Sequence, residues 1–331
     1  MYYLGIDLGG MSIKAGLCDE NGNILLQDSC PTVRDQDGDR ILEDMAALCN
    51  RVLEQAGVKA EEVEYAGVAS PGTADSDRGV IVYASTLPFL HYPLAEKLSA
   101  LTGIRKVYIE NDANAAAKGE ATFGAAKGYR DSLFVTLGTG VGGGILVDGK
   151  ILSGCNFAGA ELGHTVIIHG GKPCTCGRRG CLECYASATA LIEQTREKMQ
   201  ACPDSVMWEL CGGDLEKVDG RTAFDAMRKG DAAAKEVVDT YIGYLACGVT
   251  NFINIFQPEV LSIGGGISNE GENLLAPLRE IVEKEQYSRN SEKKTLIKIA
   301  KLGNRAGIVG AASLGKEPLS FHHTASIHGS I

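Results

Sequence analysis

The chain has 331 residues, 44% of them hydrophobic and 22% charged, which is enough apolar material for a sizeable core and, by length, about two domains. With 42 acidic against 32 basic residues and a formal charge of −10, it lacks the broad basic footprint of a protein that binds nucleic acid or an anionic membrane. The 42 glycines make up about 13% of the chain against about 7% in ordinary globular proteins, with no Gly-X-Y period, so collagen is excluded and local motifs must explain the excess.

The opening run YYLGIDLGG has no basic region followed by an apolar stretch, as a signal peptide would. The longest uncharged stretch, Thr240 to Pro258, is interrupted by Thr, Asn and Gln. A soluble cytoplasmic protein with no membrane partner is expected. The odd count of 11 cysteines argues against a fully paired secreted framework, and Cys49 and Cys247 sit in apolar surroundings as small buried residues would.

In chain order, Tyr2 to Asp7 reads as a strand, Gly9-Gly10 as a tight turn and Ile13 to Cys18 as the returning strand of a hairpin. Asp39 to Gly57 carries Ile41, Met45, Leu48, Val52 and Leu53 on one helical face. Glu64 to Ala69 is a strand before the Pro71-Gly72 turn, Leu94 to Thr102 a helix, and Lys106 to Glu110 a short strand feeding an Ala-rich helix, Ala115 to Glu120. Ser132 to Leu137 and Gly144 to Val147 repeat the opening arrangement of strand, Gly-rich turn and strand. Ala232 to Phe256 is a long apolar helix stopped by Gln257-Pro258, Val260 to Ile263 a buried strand, Ala306 to Leu314 an apolar helix and His322 to Ile331 a polar tail. Strands alternating with helices give an α/β layer fold, and the repeated hairpin suggests two related domains.

Three glycine turns carry the first chemical signal. In Asp7-Leu8-Gly9-Gly10-Met11-Ser12 the backbone can approach a ligand, and Asp7 can serve a hydrated divalent cation or orient a phosphate. Gly138-Thr139-Gly140-Val141-Gly142-Gly143-Gly144 offers successive amides and a hydroxyl, and Gly264-Gly265-Gly266 follows a strand. Neither a GxxxxGK[ST] loop nor a proper dinucleotide fingerprint is present, so a nucleotide cleft of another kind is expected. Asp112, at the junction of strand and helix, is a candidate general base for phosphoryl transfer to a hydroxyl, with helix capping as its plain alternative, and Asn111 could orient that hydroxyl.

The most specific signal is His164 followed by Cys174, Cys176 and Cys181, a set that satisfies tetrahedral zinc without the nearby Cys184. Four protein ligands leave no position for an activated water, so the metal is expected to be structural. It would tie down a loop bearing Glu161 and Glu183, either solvated acids or partners of sugar hydroxyls.

Together the motifs DLGG, GVASPG, ENDANAAAKGE, LGTGVGGG, AGAELGH, CTCGRRGCLE and IGGGIS resemble the ROK family, whose sugar kinases belong to the actin-like ATPase superfamily. The resemblance covers nearly the full chain. It implies two α/β domains of the actin-like (ribonuclease H-like) kind around a central cleft: residues 1–117 completed by a C-terminal helix at 306–318, and residues 118–305 with the zinc and nucleoside loops. It implies Asp112 as general base, with Asn111, Glu161, His164 and Glu183 as sugar ligands. His164 and the three cysteines match the zinc ligands. Asp7, Gly9, Gly10, Ser12, Lys14, Gly138, Thr139 and Gly140 would face ATP phosphates with Mg²⁺, and Gly264, Gly265 and Gly266 the nucleoside. Thr86 stands where the family often has an Asn that contacts the sugar, which leaves glucose the leading substrate but keeps fructose, N-acetylmannosamine, N-acetylglucosamine and allose open. A homodimer is the expected assembly. A non-catalytic sugar-binding regulator is the alternative, disfavoured because the chain starts at the ATPase-like core and keeps Asp112.

Overall fold

A computed structural model describes residues 1–33, 37–84 and 86–316. The expected tail, His322 to Ile331, and positions 317 and 318 of the expected closing segment lie outside the described residues.

Thirteen strands are present among the described residues: β1 (Tyr2–Leu8), β2 (Ser12–Cys18), β3 (Ile24–Pro31), β4 (Val63–Ser70), β5 (Thr73–Asp75), β6 (Val80–Tyr83), β7 (Leu90–Tyr92), β8 (Val107–Asn111), β9 (Ser132–Leu137), β10 (Val141–Val147), β11 (Lys150–Ile151), β12 (Val260–Gly264) and β13 (Leu296–Ile299). They form two five-stranded sheets ordered β3-β2-β1-β4-β8 and β11-β10-β9-β12-β13, with β5, β6 and β7 in a small third sheet. In both large sheets the first three strands are antiparallel and the last two run parallel to the first. The repeated hairpin in the sequence is therefore one corner of a complete structural repeat. The second hairpin strand starts at Val141, three residues before the expected Gly144, because Gly142, Gly143 and Gly144 pair with Thr136, Val135 and Phe134 despite having no side-chain pattern.

The helices are α1 (Gly38–Ala56), α2 (Leu94–Thr102), α3 (Asp112–Phe123), α4 (Glu183–Ala186), α5 (Ala188–Ala201), α6 (Val206–Leu210), α7 (Thr222–Arg228), α8 (Ala232–Phe256), α9 (Glu272–Glu285) and α10 (Ala306–Ala311). None is long and apolar enough to cross a membrane among the described residues. The 25-residue α8 follows its sequence signals closely: the Asp231 carboxylate accepts from the Ala234 amide at 2.8 Å at its start, and Gln257, left-handed and followed by Pro258, ends it. Its apolar face carries Val237, Tyr241, Leu245, Val249 and Phe252 into the core under the second sheet. Helices α1 and α2 cover the first sheet with Ile41, Met45, Leu48, Val52, Leu94 and Leu98.

The short α10 is the exception to sequence order. It packs on α3, β1 and β4, which precede it in the chain by about 180 to 300 residues. The contact is backbone to backbone: a Cβ at Gly5 would lie 2.0 Å from the Ile308 carbonyl oxygen, and one at Gly67 1.9 Å from that of Ala311. Tyr65 reaches across to donate its hydroxyl to the Ala312 carbonyl at 2.7 Å. The expected helix to Leu314 ends as a helix at Ala311 and continues as turns.

Candidate active site

One cleft of about 780 Å³ gathers residues from both sheets. The first contributes Asp7 and Lys14, opposite each other across the β1–β2 ladder, with Lys14 Nζ 3.6 Å from the Asp7 carboxylate. The second contributes Gly138, Gly140 and the start of β10, with Gly264 at the end of β12 and Gly265 and Gly266 after it. Asp112, Glu161, His164 and Glu183 line the same cleft. Gly9, Gly10, Ser12, Asn111 and Thr139 are not lining residues but belong to the elements that carry the lining. Thr86 is exposed between β6 and β7 and does not line the cleft.

Asp112 owes its place to Asn111. The Asn111 carboxamide oxygen accepts from the Ala113 and Asn114 amides at 2.9 and 3.2 Å, and its nitrogen donates to the Gly72 carbonyl at 3.0 Å. Asn111 is thus the N-cap, and α3 begins three residues earlier than the Ala-rich run suggests. This corrects the capping alternative for Asp112, which is the first helical residue and points its carboxylate at the cleft. It also sets most of the Asn111 amide to structural work rather than to orienting a hydroxyl.

The Asp112 side chain is exposed to the cleft, whose walls from both halves of the molecule crowd its carboxylate. Desolvation there, with the neighbouring charges of Asp7 and Glu161 adding to it, raises its pKa to about 6 against the pull of the Ala113 amide. Asp7 is likewise raised, chiefly by burial, with Lys14 opposing. A carboxylate poised near 6 is ionised at neutral pH and a better proton acceptor than an ordinary aspartate. The Asp7 carboxylate on the β1–β2 hairpin is the donor type a hard divalent cation takes.

The turn bearing Glu161 and His164 lies directly on β10: a Cβ at Gly163 would sit 2.0 Å from the Val141 carbonyl oxygen. The chain reaches it through Phe157 and Ala160, both left-handed without being glycine, a conformation costing about 1–3 kcal/mol that tertiary contacts must sustain. Glu183 opens α4 and turns its carboxylate to the glycine turn, accepting from the Val141 amide at 3.0 Å; its other oxygen is 4.0 Å from Cys174 Sγ. Glu183 is therefore a strut between the cysteine loop and the glycine turn, a role its neighbours in sequence do not reveal.

His164, Cys174, Cys176 and Cys181 converge, each offering one ligand atom and all of these within 4.8 Å of one another. His164 Nδ1 is 3.5 Å from Cys174 Sγ, and Cys176 Sγ is 3.7 Å from Cys181 Sγ. A tetrahedron with metal–sulfur bonds of about 2.3 Å and a metal–nitrogen bond of about 2.1 Å has edges of about 3.5–3.8 Å, so the donor set fits a zinc-sized ion. The Cys184 thiol points elsewhere, to the Pro173 carbonyl at 3.4 Å.

The cleft also holds residues to which sequence reasoning assigns no role: Ser268, which ends the IGGGIS run, Asn269 after it, Lys301, Gly303 and Asn304 on the segment between β13 and α10, and Glu120 near the end of α3. The only sequence signal for Glu120 was its place in the ENDANAAAKGE run.

A sequence model described as the ROK family matches residues 3–317. The chain is 41% identical over 316 residues to a glucokinase of Thermotoga maritima, covering 95% of this chain and 97% of that protein. It is 35% identical over 317 residues to a glucokinase of Streptomyces coelicolor, covering 95% and 98%. The crystal structure of a ROK family glucokinase from Streptomyces griseus in complex with glucose and AMPPNP superposes with a TM-score of 0.79 at 33% identity, covering 95% of this chain and 99% of that one.

Proposed function

The chain belongs to the ROK family, and from that premise we propose that it is an ATP-dependent glucokinase in which Asp112 is the general base. Its two α/β halves have the actin-like ATPase fold of the ROK kinases. The observation that carries the assignment of Asp112 is the cleft itself: Asp7 and Lys14 of the first hairpin, Gly138 and Gly140 of the second hairpin turn, the third glycine turn and the Asp112 carboxylate meet in one space.

Asp112 takes the proton of the sugar 6-hydroxyl as that oxygen attacks the γ-phosphorus of ATP; the bond to the β,γ-bridging oxygen breaks, leaving sugar 6-phosphate and ADP. Glu161, His164 and Glu183 hold the sugar hydroxyls and so fix which oxygen faces Asp112. The amides of the Gly138–Gly140 turn and the turn after Asp7 receive the phosphates, and Gly264–Gly266 make room for the nucleoside. Mg²⁺, when bound near Asp7, supplies positive charge to the phosphate oxygens. His164, Cys174, Cys176 and Cys181 would hold a zinc ion, which would lock the turn that carries Glu161 and His164 and orient the His164 ring. We assign residues 1–117 with the α10 region to one lobe and 118–305 to the other, and we take the enzyme to work in the cytoplasm as a homodimer, in line with the family.

The test is a panel of glucose, fructose, N-acetylmannosamine, N-acetylglucosamine and allose with Mg-ATP, read by ADP release. Glucose should give the highest kcat/KM. Binding of a sugar without phosphorylation of any, by metal-replete protein, would instead identify a non-catalytic regulator.

A further inference from the structure

Glu120 is completely buried. One of its carboxylate oxygens accepts from the Ala125 amide at 2.6 Å and the Lys301 amide at 3.1 Å, and the other from the Leu302 amide at 2.7 Å. Gly124 makes room for it, since a Cβ there would lie 2.0 Å from the carboxylate. Two of the three donors belong to the segment between β13 and α10, whose residues Lys301, Gly303 and Asn304 form a wall of the cleft together with Gly264–Gly266, Ser268 and Asn269. Asp112, Ala116 and Glu120 are spaced four apart on α3 and all line the cleft, so they share one helical face, with about 12 Å along the axis from the first to the last.

We propose that Glu120 is a positioning residue for the nucleotide: it pins the 301–304 wall to α3, the helix that carries Asp112, and so sets the affinity for the adenine nucleotide. The inference rests on the reading of the cleft as an ATP site. A free 301–304 segment would have two amides with no fixed partner and a main chain able to shift at Gly303; the carboxylate removes both freedoms at once. Because the anchor is on α3, the nucleotide wall and the general base keep a constant separation. A carboxamide in place of the carboxylate has one acceptor oxygen and brings an NH₂ group against an N–H donor, so it cannot hold all three amides.

The experiment compares wild-type protein, Glu120→Gln and Glu120→Asp, measuring ADP and glucose affinities separately by calorimetry and KM for ATP and glucose in turnover. The expected result for Glu120→Gln is an ADP Kd and ATP KM raised at least tenfold, with glucose Kd and KM within twofold of wild type. Glu120→Asp, which keeps the charge but is too short to reach every donor, should show the same selective loss to a smaller extent, and it decides the matter if the Gln variant does not fold. Unchanged ADP affinity in a folded variant overturns the inference, as does an equal loss of both ligands, which would make Glu120 a general structural residue. Wild-type protein that binds glucose but not ADP would refute the ATP reading itself, a result distinguishable from either.

Discussion

Replacing Asp112 by Asn leaves the side-chain shape nearly unchanged and removes the proton acceptor. The carboxylate has a pKa of about 6, so it is about nine-tenths ionised at pH 7 and about one-tenth at pH 5, whereas an aspartate at its ordinary value of about 3.9 would be about nine-tenths ionised at pH 5. For wild-type protein, kcat/KM for glucose should therefore fall about tenfold from pH 7 to pH 5, and Asp112→Asn should lower kcat at pH 7.5 by about 10²–10⁴-fold with glucose affinity largely retained. The same shift has a consequence for stability. The folded-state pKa lies above the unfolded one, so the native protein binds this proton more tightly; that contribution is complete below about pH 4 and is lost as pH rises through about 6. Asp112→Asn cannot suffer this loss, and its melting temperature should exceed that of wild type at pH 7 and approach it at pH 4. A coupled assay for ADP across pH 4.5–8, with thermal melts of both proteins, checks the set. An acid limb centred near pH 4 would refute the raised pKa, and an Asn variant that keeps more than about a tenth of the turnover would refute Asp112 as the base.

Elemental analysis of protein prepared without chelator should find about one zinc per chain, as a closed four-ligand site holds its ion tightly. Cys176→Ser should lose much of that zinc and raise KM for glucose more than KM for ATP, because the ion would anchor the turn bearing Glu161 and His164; zinc-free wild-type protein would overturn the assignment. Gly67→Ala forces a methyl group to 1.9 Å from the Ala311 oxygen and should destabilise the protein by about 1–3 kcal/mol or more in urea unfolding, while Gly57→Ala, where a Cβ meets nothing but the backbone is left-handed, should be felt through strain of about 1–2 kcal/mol alone.

The parts of the molecule most legible in its sequence are those where one residue type has one physical use. Gln257-Pro258 stops α8 as expected, and Asp231 caps its start, because a cap and a stop each act locally. The His164 and cysteine spacing predicts a cluster that the fold assembles, since four soft donors at short separation have few other reasons to coexist. Where meaning depends on a distant partner, sequence reasoning falls short. Asn111 and Asp112 exchange the cap between them because Asn111 also meets Gly72, 39 residues earlier. The strand character of Gly142–Gly144 comes from β9 and not from their own side chains. Lys301, Gly303 and Asn304 enter the cleft through the closure of the β13–α10 segment on Glu120, for which the sequence around them carries no motif. Thr86 was singled out by its place in a family pattern, and the structure keeps it away from the lining.

The late arrival of α10 imposes an order on the making of the protein. The face of the first sheet that holds Tyr3, Cys18 and Tyr65 is closed by Ile308 and Ala312, and about 180 residues separate the end of α3 from the start of α10. At about 5–20 residues per second, a ribosome needs about 10–40 s to span that interval. Throughout it the first sheet is covered on one side only, while the core around α8, whose last buried member is Ile297, is made in full before α10. The half that starts synthesis is thus the last to finish folding, because one face of its sheet stays open until α10 has been made.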